Sequence, residues 1–197
     1  MDRQEDPRAV ANFILETRRL LSRTTTNLEL QKLLFFSHSN YLLATGRKLV
    51  SGYFEAWAYG PVHPIAYRAF KHFGGDPIPL HAEGIDPFTK KPKVIKQLSN
   101  VEAQDTIAAT VSSLAKYSAG QLVDMSHKKG GPWHYTVTNA RSGGALGMRI
   151  TDETILGCAR RTKVVLLNEG SENESEFGAD ERVRHFVEEP ITGYGSS

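Results

Sequence analysis

Phe54-Glu55-Ala56-Trp57-Ala58-Tyr59-Gly60-Pro61-Val62-His63-Pro64 packs two prolines, a glycine and three aromatic rings into one short stretch. Its first half alternates large and small side chains, the pattern of a short, half-buried strand. Gly60-Pro61 is expected to break that strand, because proline lacks an N–H and fixes φ while glycine permits a turn. Pro64 then offers a ready first residue for a helix. Alternation places Trp57 and Tyr59 on one strand face beside a rigid corner. There they serve either as core or as anchors for another protein, with core the default for Trp57.

Helical patterns surround this corner. Upstream, Thr26-Asn27-Leu28-Glu29 reads as a capping box. The helix it opens carries Leu28, Leu30, Leu33, Leu34, Phe35, Phe36, Tyr41, Leu42 and Leu43, apolar nearly all round, with Gly46 as its stop. It is expected to run through the centre of the molecule. Earlier still, Asp6-Pro7 opens a helix whose Val10, Phe13, Ile14, Thr17 and Leu21 share one face. Downstream, Pro64 to Phe73 reads as a helix ended by Gly74-Gly75. Residues 76–98 hold Pro77, Pro79, Pro87 and Pro92 and read as an irregular loop, with a short strand at Val94-Ile95. Ser99-Asn100-Val101-Glu102 and Ser118 with Gln121 look like two further capping boxes, the second helix stopped by Gly130-Gly131-Pro132. Residues 136–148 are polar and glycine-rich, hence a loop, and Thr151-Asp152 caps a last short helix to about Arg160. The expected fold is mainly α with a minor β element near residues 49–58: a compact helical domain, with helices at 7–21, 64–73 and 100–127 wrapped around the central apolar one.

Charge divides the chain. Eight acids against Arg182 and Arg184 give residues 168–197 a charge of −6, which leaves +8 on residues 1–167 of a chain whose net charge is +2. Residues 1–162 read as one domain and 163–197 as an acidic, glutamate-, serine- and glycine-rich flexible tail. A basic body attracts nucleic acid, an acidic partner or its own tail. Its cations are scattered singly, which favours a solvated surface. No apolar run approaches a membrane span, no leader peptide is visible, and Cys158 stands alone, so a reducing cytoplasm is expected.

Chemistry is sparse. Cys158 lies beside Arg160 and Arg161, which would lower a thiol pKa, yet no nucleophile motif surrounds it. His63, His72, His127 and His134 match no zinc spacing, and His38 sits on the apolar helix as a core histidine. No phosphate loop, dinucleotide fingerprint or serine-nucleophile motif is present. No metal or cofactor is expected. Lys32 has two readings. It pairs with Glu55, tying its helix to the strand, or it extends along apolar surface to put its ammonium in water.

Several stretches together resemble the Panacea domain of SocA-like antitoxins and GepA-type phage-associated proteins. They are Leu30 to Phe36, Thr45-Gly46-Arg47, Phe54 to Val62, Tyr67 to Lys71, Ser118 to Leu122 and Gly131-Pro132-Trp133. The resemblance implies a non-enzymatic antitoxin that binds a toxin encoded beside it, or an adaptor that hands the toxin to ClpX of the ClpXP protease. It brings forward Trp57, Tyr59, Gly60, Pro61, Val62, Tyr67 and Lys71 as partner-contact candidates, and Lys32, Glu55 and Trp133 as structural motif residues. Alternatives are a DNA-binding regulator of its own operon, though no basic recognition helix stands out, and a small hydrolase built on Cys158 or a histidine.

Overall fold

The computed structural model describes residues 4–143 and 148–161. Asp6 caps the first helix, α1 (Pro7–Leu20), by accepting the Arg8 N–H at 2.8 Å. Thr26 and Glu29 form the expected capping box of α2 (Asn27–Thr45), and Gly46 ends it with a left-handed φ of 70°. Helix α2 packs against α1 and against four of the helices that follow it in the chain. It is less apolar than its leucines suggest. Asn27, Gln31, Lys32, Ser37, His38 and Ser39 are buried along with Leu30, Leu33 and Leu34. Several of those polar groups therefore meet polar partners on neighbouring elements.

The next two elements correct the sequence reading of the corner. Strand β1 (Phe54–Trp57) pairs antiparallel with β2 (Gly60–Val62), with Trp57 opposite Gly60. The turn is therefore Ala58-Tyr59, and Gly60-Pro61 continues the sheet after it. Gly60 takes a φ of 99°. Pro61 is tolerated because β2 lies at the edge of its sheet. Tyr59 accordingly sits in the turn and not on the strand face beside Trp57.

Helix α3 (Pro64–Phe70) follows with proline in its first turn and tightens into a 3₁₀ turn over Lys71–Phe73. The stretch expected to be irregular contains a hairpin, β3 (Glu83–Ile85) with β4 (Pro92–Val94). Helix α4 (Val101–Leu114) is capped by Asn100 instead of Ser99, through the Ala103 N–H at 3.2 Å. Helix α5 (Ala119–Ser126) carries the expected Ser118–Gln121 box. It ends at Ser126, ahead of the Gly130-Gly131-Pro132 stop that was expected, and Pro132 opens α6 (Pro132–Gly143), a helix where a loop was expected. Proline is disfavoured inside helices but suits their first turn, and that local fact outweighs the polar composition beyond it. Strand β5 (Arg149–Ile150) pairs with β1, giving the order β2-β1-β5, and α7 (Asp152–Arg161) ends the described chain. The architecture is mostly helical with two small sheets.

Two apolar clusters hold it. The larger joins α1, α2, α4 and β1, with Phe35 and Phe54 edge to face at 5.3 Å. The smaller gathers Leu28, Trp57, Val62, Tyr67, Ala119 and Val123, with Tyr59 packed against it. Residues 163–197, including the acidic run, lie outside the described residues.

Candidate partner-binding site

The β1–β2 hairpin is locked to the helices through its own signature residues. Lys32 on α2 is 0% exposed, and its ammonium donates to the Pro61 carbonyl at 2.9 Å. Burial pushes the Lys32 pKa well down, since a charge loses its hydration there. Neither sequence reading of Lys32 describes this arrangement. Its head lies inside the protein on a backbone oxygen, and the Glu55 carboxylate accepts the Trp57 indole N–H at 2.8 Å. Alternation explains the second contact, because Glu55 and Trp57 share a strand face.

Gly60 is where α2, β2 and α5 converge. A Cβ there would stand 2.5 Å from Ser126 Oγ and 2.9 Å from Lys32 Nζ. Ser126 Oγ is itself committed, donating to the Val123 carbonyl at 2.7 Å. Trp57 packs edge-on to Tyr67 of α3, ring centroids 4.8 Å apart. Trp133, near the start of α6, donates its indole N–H to the Trp57 carbonyl at 2.9 Å. The chain thus buries Trp57, Gly60, Pro61, Val62 and Tyr67 among its own elements. Of the seven contact candidates, Tyr59 is half-buried and Lys71 is exposed.

Two buried histidines sit behind the hairpin. His63 Nε2 lies 2.9 Å from the Ser51 carbonyl, so that nitrogen carries the proton. Its other nitrogen, Nδ1, finds no partner among the described residues, and burial holds the His63 pKa down to about 4. His38 stands between the Val50 N–H and Asp152, with Nε2 3.1 Å from Oδ1. Lys48 reaches the same carboxylate at 2.9 Å. The His38 hydrogen bond, with help from Lys48, holds the Asp152 carboxyl below the usual range. This cluster fastens the start of α7 to α2. His38 is therefore a bonded interior histidine, as its position on α2 suggested.

Cys158 of α7 lines an apolar groove of about 160 Å³ with Phe35, Phe36, Leu43, Met125 and Ile155. No histidine lies in that lining. Among the described residues no group of three His, Cys, Asp or Glu side chains is placed to hold a metal ion. No helix among them is long and apolar enough to cross a membrane. Sequence reasoning did not single out Ser126, weighed His63 only against zinc spacing and took Asp152 only as a helix cap. Nothing in a linear pattern ties Ser126 to Gly60 or Asp152 to His38, because each pair meets only through packing of separated elements.

Fold and site define a mainly helical protein in which a Gly-Pro hairpin is clamped by a buried lysine. Residues 30–134 match the family model "Antitoxin SocA-like, Panacea domain". The chain is 38% identical over 159 residues to "Antitoxin SocA" of Caulobacter vibrioides, an alignment covering 81% of this chain and 85% of that protein. The chain belongs to the SocA-like antitoxin, Panacea-domain family. No solved structure matches it.

Proposed function

We propose that this chain is the antitoxin of a toxin–antitoxin pair and neutralises its cognate toxin by binding it directly. The observation that carries the reading is the match to an antitoxin over most of both chains. The geometry is compatible with it. The signature residues hold the hairpin in place, the lining of the cysteine groove includes no histidine, and no metal-binding group lies among the described residues. A binding scaffold needs such rigidity, because ordering loops on association weakens affinity.

Delivery of the toxin to ClpXP is the finer form of the same role, since an adaptor must first hold its cargo. Co-expression with the neighbouring toxic reading frame tests the shared step. Growth is expected to be restored and the toxin to co-purify. Failure of both ends the reading. Adding ClpX, ClpP and ATP to the purified complex then sorts the two routes: the toxin persists if binding alone suffices and is degraded if the chain is an adaptor.

A further inference from the structure

Resting on the antitoxin reading, we infer that the β3–β4 hairpin is the toxin-docking element, and that it fits a polypeptide surface presenting apolar side chains ringed by carboxylates. The hairpin register places Glu83 opposite Val94 and Ile85 opposite Pro92, so these four residues share one face. Gly84 and Lys93 belong to the other face. A Cβ on Gly84 would come 3.7 Å from Ile95, which packs against the larger apolar cluster, so this second face is turned to the body. On the first face Ile85 is 71% and Val94 82% exposed, and Phe88 at the tip is 92% exposed. A single exposed apolar side chain is ordinary, but three grouped on one small hairpin mark a contact surface.

The hairpin is built to hold them still. Asp86 Oδ1 accepts the N–H groups of Phe88 at 3.0 Å and Thr89 at 2.8 Å. The Asp86 N–H donates to the Lys91 carbonyl, and the Lys90 N–H to the Asp86 carbonyl, both at 2.9 Å. At the base, Asn12 of α1 grips both backbone groups of Ala82, at 2.7 and 3.1 Å, and Gln104 of α4 holds the Leu98 carbonyl at 2.7 Å. A pre-formed turn that displays an aromatic ring loses little entropy on docking. Charge selects the occupant. Lys90 and Lys91 near the tip and Lys96 beyond β4 are exposed, while Asp86 is occupied by the turn and Glu83 is the other acid of the hairpin. A partner meeting this face therefore needs carboxylates around an apolar centre. Beside it, a cleft of about 660 Å³ lined by Arg19, Phe73, Leu80, His81 and Val94 extends the surface towards α1 and the 3₁₀ turn.

The test uses the full chain and its purified cognate toxin. One variant carries Ile85→Ser, Phe88→Ser and Val94→Ser; a second carries Lys90→Glu, Lys91→Glu and Lys96→Glu. Because the changed side chains are exposed, both variants should melt like wild type. The apolar variant is expected to bind toxin at least about 30-fold more weakly, with loss of growth rescue. The charge variant is expected to lose about tenfold at low salt, less as salt is raised. Toxin affinity within about twofold of wild type in both variants would overturn the assignment alone. A wild-type chain that does not bind the toxin would overturn the antitoxin reading and this one with it. A change in the oligomeric state of the antitoxin by itself, with toxin binding intact, would give the face to a second copy and overturn it too. So would a lower melting temperature with unchanged affinity, which would give the face to the chain's own packing.

Discussion

Replacing Gly60 by alanine asks whether the Gly-Pro hairpin is structural or a contact surface. Two costs follow from the geometry. An L-residue at a φ of 99° is strained by about 1–3 kcal/mol. The added methyl would also lie 2.5 Å from Ser126 Oγ and 2.9 Å from Lys32 Nζ. Both are side-chain ends, which would ordinarily move aside. Here each is buried and hydrogen-bonded, Ser126 to the Val123 carbonyl and Lys32 to the Pro61 carbonyl. Overpacking of this kind adds about 1–3 kcal/mol. The expected loss is therefore about 4 kcal/mol, a large share of the stability of a domain this size. Urea unfolding followed by fluorescence measures it, because Trp57 and Trp133 both border the site. Adding Ser126→Ala to Gly60→Ala should return about 1–2 kcal/mol by removing the nearer obstacle, while the φ strain remains. A loss under about 1 kcal/mol, the scale of a neutral surface change, would refute the claim that this corner is closed.

Three further outcomes are expected. The folded-state pKa of His63, about 4 against an ordinary 6.5, means that the unfolded chain binds its proton first as pH falls. The stability this provides is complete above pH 6.5 and drains towards pH 4, about 2 kcal/mol by pH 5, and a His63→Gln chain with the same pH slope as wild type contradicts it. Lys32, whose pKa is depressed by burial, should make wild type gain stability as pH rises towards 10.5. Lys32→Met should remove that gain and, at pH 7, cost about 1–3 kcal/mol, since it leaves the buried Pro61 carbonyl without its donor; stability at or above wild type would show that the amine is not a needed clamp. Asp152→Asn weakens the contacts to His38 and Lys48 and should speed amide exchange in α7 more than in α4. The Asp152 carboxyl is held below its usual 3.8, so its contribution stands at neutral pH and disappears only as the solution falls below that value; unchanged α7 exchange at pH 7 would count against this role.

The sequence alone determined the starts and stops set by local chemistry. The Asp6, Thr26 and Ser118 caps, the Gly46 stop and Pro64 at a first turn depend on atoms a few residues apart, so they can be read in order along the chain. The family was legible for the same reason, in motifs whose spacing is linear. The place of the turn was not, because Pro61 is acceptable in a strand only when that strand lies at an edge, and edges are a property of the assembled sheet. Lys32 is the clearest case. The sequence left a buried and a solvent-reaching Lys32 equally open, and its ammonium meets a backbone carbonyl on another element, which carries no side-chain signature in the sequence. The β3–β4 hairpin was hidden by its prolines and lysines, and the outward direction of Ile85, Phe88 and Val94 emerged only once Asn12 and Gln104 had clamped its base to α1 and α4. Local backbone chemistry is written residue by residue, whereas burial, edges and exposed faces are decided by which distant segments pack together.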